Sequence, residues 1–281
     1  GDESQSDELG VRYMTRAGYD PNALVGVFQT LGLSMGEGRV PGWAATHPDP
    51  VNREEDIREI ISAAGQDFSE YARRGEEYLQ SLDGMTFGQD PRQGFFEGQT
   101  FFHPDMAFAL DFPSGWETIN QKTQVAGVSS DGGALVALTV EGGETDAESA
   151  LSAFLRQDQL RGRDSRRTSV NGSTAWEASF NADSAEGPLR GAVLFVEHEG
   201  AVFRLLGFAS ATQWSSHEST VLSSIESFRA VSDPEILGVE PSRIEIVRLP
   251  SRMTLRQFIE EYPSTVDAEQ IAMINRRTLD E

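Results

Sequence analysis

The sequence of 281 residues contains no cysteine, which excludes disulfide bonds, cysteine zinc ligands and cysteine nucleophiles. No apolar run approaches the roughly 18–20 residues of a membrane span, and no signal peptide is recognisable. Basic residues are also few, since 23 Lys and Arg stand against 45 Asp and Glu and give a net charge of −22. Such a surface repels phosphate backbones, so we expect no nucleic-acid partner. The lack of a long apolar run predicts no transmembrane span.

The rest of the composition is that of an ordinary globular protein, with 38% hydrophobic and 24% charged residues. The length suits two domains, or two domains and a small module. The chain opens on GDESQSDELG, which is typical of a helix in mid-fold. We therefore expect residues to be missing upstream, so the lack of a signal peptide excludes nothing.

Apolar residues recur at helical spacing through the first part of the chain. Gly18 predicts the end of a first helix, and Asp20-Pro21 predicts the start of a second, with Asp as N-cap and Pro at the first helical position. Residues 32–46, rich in Gly and Pro, predict a loop. A third helical stretch follows from about 53 to 82, which Gly65 or Gly75 would divide.

Alternating apolar residues, such as Phe108 and Leu110, predict strands in the second part of the chain. Hairpin turns are predicted at Asn171-Gly172 and Glu199-Gly200. Further strands are predicted at 134–140, 174–180, 189–197 and 201–208, and helices at about 146–160 and 213–228. Strands in runs with a few helices indicate an α+β fold with an antiparallel sheet.

These patterns predict four segments. They are a helical domain over 1–82, a linker over 83–105, an α+β antiparallel-sheet domain over 106–232 and a small C-terminal module over 238–281. The sequence of the C-terminal module predicts a strand followed by two helices, and the strand contains Ile244, Ile246 and Val247.

Glu3 and Asp7 are four residues apart, so they share one face of a helix. Two acids at this spacing are usually a solvated first turn, where negative charge suits the helix dipole. The residues after this pair give it a second interpretation. AGYDP stands at 17–21, THP at 46–48, and Arg53 comes after them.

From Glu3 to Arg53 the chain resembles, in order and spacing, the zinc metallopeptidases of the HtpX/BepA type. These gluzincins carry HExxH on an earlier helix, and residues 1–82 would then be the helical C-terminal part of a zincin protease domain. A catalytic zinc takes three protein ligands and a water, and HExxH supplies two histidines and a glutamate base.

The resemblance implies a role for each residue of this region. Glu3 would be the third zinc ligand, and Asp7 would hydrogen-bond a ligating histidine and fix its orientation. His47 would lie in a loop near the metal, either as a plug in the open coordination site or as a stabiliser of the oxyanion. Arg53 would lie near the same cleft and hold the loop or a substrate carbonyl.

The sequence departs from the family in one respect. It has four histidines, and none belongs to an HExxH. Two expected zinc ligands and the catalytic glutamate are therefore absent, so we expect this chain alone to be inactive and not to retain Zn²⁺ tightly.

The other histidines have structural interpretations, with His103 packed at the entry to a strand, and His198 and His217 exposed. The acidic stretch 141–146 lacks the ligand density of a calcium loop. It predicts a turn in which Thr145 or Asp146 caps the next helix.

Two further regions resemble known modules. FPSGW at 112–116 and SIESF at 224–228 are similar to an α+β antiparallel-sheet sandwich of the PsbP type. The tail from Met253 to Asn275 resembles a LysM module of βαα order, which would bind glycans that contain N-acetylglucosamine. Arg252-Met253 replaces the usual Gly-Asp, so a structural C-terminal cap is the alternative.

Two functions are consistent with these resemblances. The first is a fragment of an exported, periplasmic zinc metalloendopeptidase that processes polypeptide substrates in quality control of the bacterial cell envelope. The second is a non-catalytic adaptor, formed by residues 90–277, that binds envelope proteins or peptidoglycan glycan.

Overall fold

The computed structural model describes residues 2–35, 50–142 and 146–281. Its internal contacts divide it into two units, one formed by Gly1–Met85 with Arg243–Glu281 and the other by Thr86–Ser242. The helices are α1 (Asp2–Arg16), α2 (Asn22–Met35), α3 (Pro50–Ala63), α4 (Gly75–Leu82), α5 (Ala147–Leu155), α6 (Trp214–Ile225), α7 (Pro234–Leu237), α8 (Leu255–Glu261) and α9 (Ala268–Asn275). The strands are β1 (Phe95–Glu97), β2 (Thr100–His103), β3 (Phe108–Asp111), β4 (Glu117–Gln121), β5 (Gln124–Val128), β6 (Ala134–Val140), β7 (Leu160–Val170), β8 (Ser173–Ser184), β9 (Gly187–His198), β10 (Ala201–Ser210) and β11 (Arg229–Ala230).

The junction of α1 and α2 confirms the predicted stop and restart. Gly18 has φ 78°, the left-handed conformation that ends a helix at low cost for glycine. The buried carboxylate of Asp20 accepts a hydrogen bond from the Asn22 backbone N–H at 2.9 Å and another from Nε of Arg73 at 2.7 Å. The third helical stretch is broken near Gly65, as predicted, and α4 begins at Gly75.

A small apolar core holds α1, α2 and α3 together. Its buried members are Val11 of α1, Val25 and Phe28 of α2, Ile57 and Ile61 of α3, and Phe68. This packing places the first turns of α1 beside the start of α3, which brings distant parts of the sequence to one place.

The C-terminal segment joins this first unit through its backbone. Gly84 N–H donates to the Ile244 carbonyl at 2.8 Å, and Ile244 N–H donates to the Met85 carbonyl at 2.8 Å. The predicted strand at 244–247 is absent because its partner is this short turn segment rather than a strand. Helices α8 and α9 do form, α8 with a capping box between Thr254 and Gln257.

The second unit contains two antiparallel sheets. A four-stranded sheet has the order β1-β2-β3-β11, and a seven-stranded sheet has the order β4-β5-β6-β10-β9-β8-β7. The α+β class with an antiparallel sheet is thus confirmed. Asn171 and Gly172, at φ 44° and 91°, form the predicted hairpin turn between β7 and β8.

The seven-stranded sheet is covered on both faces, and β9 shows this most directly. Leu194 and Val196 belong to a core shared with β3 and α6, whereas Val193 and Phe195 belong to a core shared with α5. Because side chains alternate across a strand, each face buries its own set. A run of buried residues without alternation is typical of such a central strand.

Several sequence predictions differ from the structure in this unit. The segment 83–105, expected to be a linker, contains β1 and β2. The exposed strands β4 and β7 were not predicted, because polar side chains occupy most of their positions. Asp146 does cap α5, accepting from the Ser149 N–H at 2.7 Å, as expected.

Candidate functional site

The site is built on the first turns of α1, which place Glu3 and Asp7 on one face. The structure confirms the helix that their spacing requires. Asp7 is almost fully buried, with 7% of its side chain exposed, whereas Glu3 is 30% exposed. The pair therefore has one buried and one accessible carboxylate.

Arg53, in the first turn of α3, joins both carboxylates. Its Nε and Nη2 donate to the two oxygens of Asp7 at 2.9 and 2.6 Å, and its Nη1 lies 2.9 Å from Oε2 of Glu3. The fork of the guanidinium matches a carboxylate in two parallel hydrogen bonds, a geometry that lysine does not provide. The bonds from Arg53 thus fix both acids relative to α3.

The electrostatics of the site result from this arrangement. Two carboxylates surround one guanidinium, so the three groups carry an excess of negative charge. The hydrogen bond to Asp7 raises the pKa of the Arg53 guanidinium further above its ordinary value, against the opposing effect of burial. Arg53 is therefore a fixed cation beside an acidic pair.

Phe28 completes the site from α2. The centre of the Arg53 guanidinium lies 4.6 Å from the centroid of the buried Phe28 ring. A cation over an aromatic face is attracted by the ring quadrupole, so Phe28 stabilises Arg53 in this position. Phe28 is one of the apolar residues at helical spacing in this part of the sequence, and nothing in that spacing marks it as the support for Arg53.

The structure brings together three of the four predicted site residues. Glu3, Asp7 and Arg53 meet, although the sequence predicted Arg53 only near the cleft and not as the direct partner of both acids. His47, the predicted plug or oxyanion stabiliser, lies outside the described residues. The position of His47 relative to Glu3, Asp7 and Arg53 remains a prediction.

The donor set of this site does not fit zinc by itself. Zinc in a catalytic site takes three protein ligands, and among the described residues no group of three or more His, Cys, Asp or Glu side chains is placed to hold a metal. Glu3 is the accessible carboxylate here, and Asp7 is bound to Arg53 through both oxygens.

The other histidines lie in the second unit and serve the fold. His198, predicted to be exposed, is buried, with Nε2 3.1 Å from the carbonyl oxygens of Met106 and Ala107. The prediction failed because a turn residue was assumed to face solvent. His103 accepts a hydrogen bond from the Met106 N–H through Nδ1, and burial lowers its pKa. His217 is also largely covered, 3.6 Å from Asp131.

Comparison with known proteins gives one family match. Residues 1–61 match the sequence model of Peptidase family M48. The matched segment contains Glu3, Asp7, Phe28 and Arg53, so the site described above lies wholly inside it. This part of the chain is similar to part of a metallopeptidase, which supports a protease as the origin of the segment. No curated protein sequence matches the chain significantly.

Solved structures resemble the chain only weakly. The cyanobacterial PsbP protein (CyanoP) from Synechocystis has 11% identity and a TM-score of 0.37, and the match covers 47% of this chain and 91% of that one. LpqN from Mycobacterium tuberculosis, described as involved in cell envelope biogenesis, has 12% identity and a TM-score of 0.32, over 56% of this chain and 97% of that one. A Bacteroides thetaiotaomicron protein has 10% identity and a TM-score of 0.37, over 49% and 50%.

In the described part of the chain, no helix combines the length and apolar character needed to cross a membrane.

Proposed function

We propose that this chain is part of a zinc-dependent metalloendopeptidase of the HtpX/BepA type that acts on proteins of the bacterial cell envelope. The observation that carries the proposal is the Glu3–Asp7 pair, held by Arg53 on α1 and α3 inside the segment that matches the peptidase family. The accessible Glu3 is the metal ligand in this proposal. The two histidine ligands would have to come from residues outside the 281, since the sequence has no HExxH.

The contacts assign a different task to each residue of the site. Arg53 holds the Glu3 carboxylate through Oε2 and offsets its charge, so the direction of that carboxylate is fixed before a metal binds. Asp7 holds Arg53 in a two-bond fork, and each Asp7 oxygen keeps a second lone pair that could accept the N–H of a ligating histidine. Asp7 would thus position two zinc ligands, Glu3 indirectly through Arg53 and a histidine through a direct hydrogen bond.

The remaining parts of the proposal concern the complete protein. Its substrates would be polypeptides, its location would be periplasmic or otherwise exported, and Zn²⁺ would be its cofactor. His47 would act near the metal, as a plug in the open coordination site or as an oxyanion stabiliser. The chain by itself would lack peptidase activity, because it has neither HExxH histidine nor the glutamate base.

Casein hydrolysis by the full reading frame tests this proposal, with the 281-residue chain measured beside it. We expect the full reading frame to contain HExxH and to cleave casein, and the 281-residue chain to be inactive. Glu3→Gln should lower the rate at least roughly 100-fold, since loss even of outer partners of a metal ligand costs about 10–100-fold.

The matched control for Glu3→Gln is Glu8→Gln, because Glu8 is an exposed carboxylate on the same helix. Glu8→Gln should leave the rate unchanged. A full reading frame without HExxH, or equal activity in wild type and Glu3→Gln, would refute the proposal.

One observation favours the second candidate, an adaptor that binds envelope proteins or cell-wall glycan. Residues 86–242 form a unit with their own apolar cores, separate from the helices that carry the site. The C-terminal helices belong to the other unit, so the predicted adaptor of residues 90–277 does not coincide with a single unit. Glycan binding by residues 238–281 remains a prediction.

A further inference from the structure

Strand β7 is unusually basic for this protein. It carries Arg161, Arg163, Arg166 and Arg167 within eleven residues, in a chain whose net charge is −22. Its only acid is Asp164. The charge of β7 is therefore opposite in sign to that of the protein as a whole.

Two of these arginines have no acidic partner in the part of the chain that the structure describes. Arg161 pairs with Asp183 at 2.9 Å, and Arg166 pairs with Glu177. Arg163 and Arg167 are exposed and form no ion pair with any described residue. Exposed cations without partners remain available to a carboxylate from another molecule.

The position of β7 leaves one side of its backbone unpaired. It is the last strand of the seven-stranded sheet, and among the described strands it pairs only with β8. Every second N–H and C=O group of an edge strand points away from its neighbour and can pair with an incoming strand. A peptide that adds to such an edge gains main-chain hydrogen bonds.

The two unpaired arginines lie on opposite faces of the sheet. Arg163 is opposite Ser179 and Arg167 is opposite Trp176, two residues of β8 that are three apart. Between them the strand has a bulge at Asp164, whose φ is 56°. An added strand would meet a guanidinium on each face, because its own side chains alternate in the same way.

These features select the chemistry of the partner. Charges and bulges on an edge strand discourage pairing with apolar or cationic strands, and pairing β7 with β7 of a second copy would place arginine opposite arginine. A strand rich in Asp and Glu is neither apolar nor cationic, so it would pair with β7 without charge repulsion. We propose that the outer edge of β7 binds an extended acidic polypeptide as an additional β-strand, with its carboxylates on Arg163 and Arg167.

Binding of a fluorescent octapeptide of sequence Glu-Glu-Val-Val-Glu-Glu-Val-Val to the full chain, measured by anisotropy, tests the proposal, because this peptide presents carboxylates on both faces when it is extended. We expect saturable binding that weakens with added salt. The double variant Arg163→Glu with Arg167→Glu should bind about tenfold more weakly, because two favourable cross-strand pairs become repulsive. The control is Arg252→Glu with Arg277→Glu, which changes the net charge equally at two exposed positions and should bind as wild type does.

A second probe separates strand addition from simple charge attraction. The same octapeptide with every backbone nitrogen methylated keeps its carboxylates but has no N–H to donate, so it should not bind. Hydrogen exchange should show new protection at residues 160–170 with the unmethylated peptide alone.

Three results would overturn the proposal. They are equal binding of both peptides, equal binding by wild type and the Arg163/Arg167 variant, and binding to anionic lipid vesicles without binding to the octapeptide. The last result would make β7 a membrane-contacting surface instead.

Discussion

Arg53 is the side chain on which the candidate site depends. It contacts Glu3 and Asp7 of α1 and the Phe28 ring of α2, while its own backbone belongs to α3. A single guanidinium thus fixes three helices relative to one another. Both a peptidase and a purely structural helix bundle would use this contact, so its energetics can be measured apart from any activity.

We predict that Arg53→Lys lowers the free energy of unfolding of the helical unit by about 1–3 kcal/mol. Lysine keeps the charge but cannot form the two-bond fork with Asp7 or stack on Phe28, and hydrogen bonds to charged groups contribute roughly that amount. Chemical denaturation followed by hydrogen exchange of α1 and α3 measures the change.

The control is Arg58→Lys. Arg58 is 56% exposed and pairs with Glu54 one helical turn away, so its replacement should change stability by less than about 0.5 kcal/mol. Equal effects of the two replacements would show that the fork contributes nothing.

Asp20 makes stability of the helical unit depend on pH. Burial alone would raise the pKa of its carboxyl, but hydrogen bonds from Asn22 and Arg73 outweigh burial and lower it. A carboxyl whose pKa is lower in the folded state stabilises that state above its unfolded pKa of about 3.9. This contribution is lost as the pH falls through the lower, folded pKa.

We therefore predict that Asp20→Asn destabilises the helical unit by about 1 kcal/mol at neutral pH, since Asn still caps the helix but loses the charge-assisted bond to Arg73. The difference from wild type should shrink as the pH falls from about 5 to about 2. Denaturation across this range, with the exposed Asp56→Asn on α3 as control, measures it. A constant difference would contradict the assignment.

The part of the site that can be predicted is the part that depends on the spacing of neighbouring residues in the sequence. The interval between Glu3 and Asp7 is enough to place both on one helical face, and Gly18 and Asp20 mark the turn after α1. The contact with Arg53 spans 46 residues and depends on how three helices pack, which no local pattern encodes. The match from Glu3 to Arg53 pointed to the region but did not give this pairing.

Among the strands, β9 shows how the sheet of the second unit is held in place. Gly191 sits where β9 passes β10, and a Cβ at this position would lie 2.4 Å from the carbonyl oxygen of Gly207. Backbone cannot move aside as a flexible side chain can. The close approach of the two strands therefore requires glycine.

We predict that Gly191→Ala destabilises the second unit by about 1–3 kcal/mol or more, the usual cost of overpacking a well-packed core. Gly142→Ala is the control, because no neighbouring atom of the described residues lies within 4 Å of a Cβ added at Gly142. Thermal unfolding of the two variants compares them. Equal melting temperatures would show that the sheet adjusts at this point without cost.

Strand prediction succeeded for most of the buried strands, but it missed β5, whose three central residues are buried. The apolar strands β3, β6, β9 and β10 were predicted, and the two hairpin turns with positive φ followed from Asn-Gly and Glu-Gly. Strand β7 was missed because an exposed edge strand rich in arginine has no apolar period to detect. The strand predicted near Ile244 is absent although its residues are apolar. The segment that pairs with it, residues 84–85, is a turn and not a strand.

The complete chain divides into a helical unit with the candidate site and a sheet unit with the basic edge. The length predicted more than one domain, and the α+β class followed from the order of helices and strands. The inclusion of residues 243–281 in the helical unit could not be predicted, because it depends on backbone hydrogen bonds between Ile244 and residues 84–85. These residues are far apart in the sequence, and no local pattern predicts that they pair.

Zinc content of the purified full reading frame tests the central claim most directly. We predict about one zinc per chain in wild type and in Glu8→Gln, and a loss of most of that zinc in Glu3→Gln, since a catalytic zinc needs all three of its protein ligands. Zinc retained at the same level in Glu3→Gln, or absent from wild type, would contradict the assignment of Glu3 as a metal ligand.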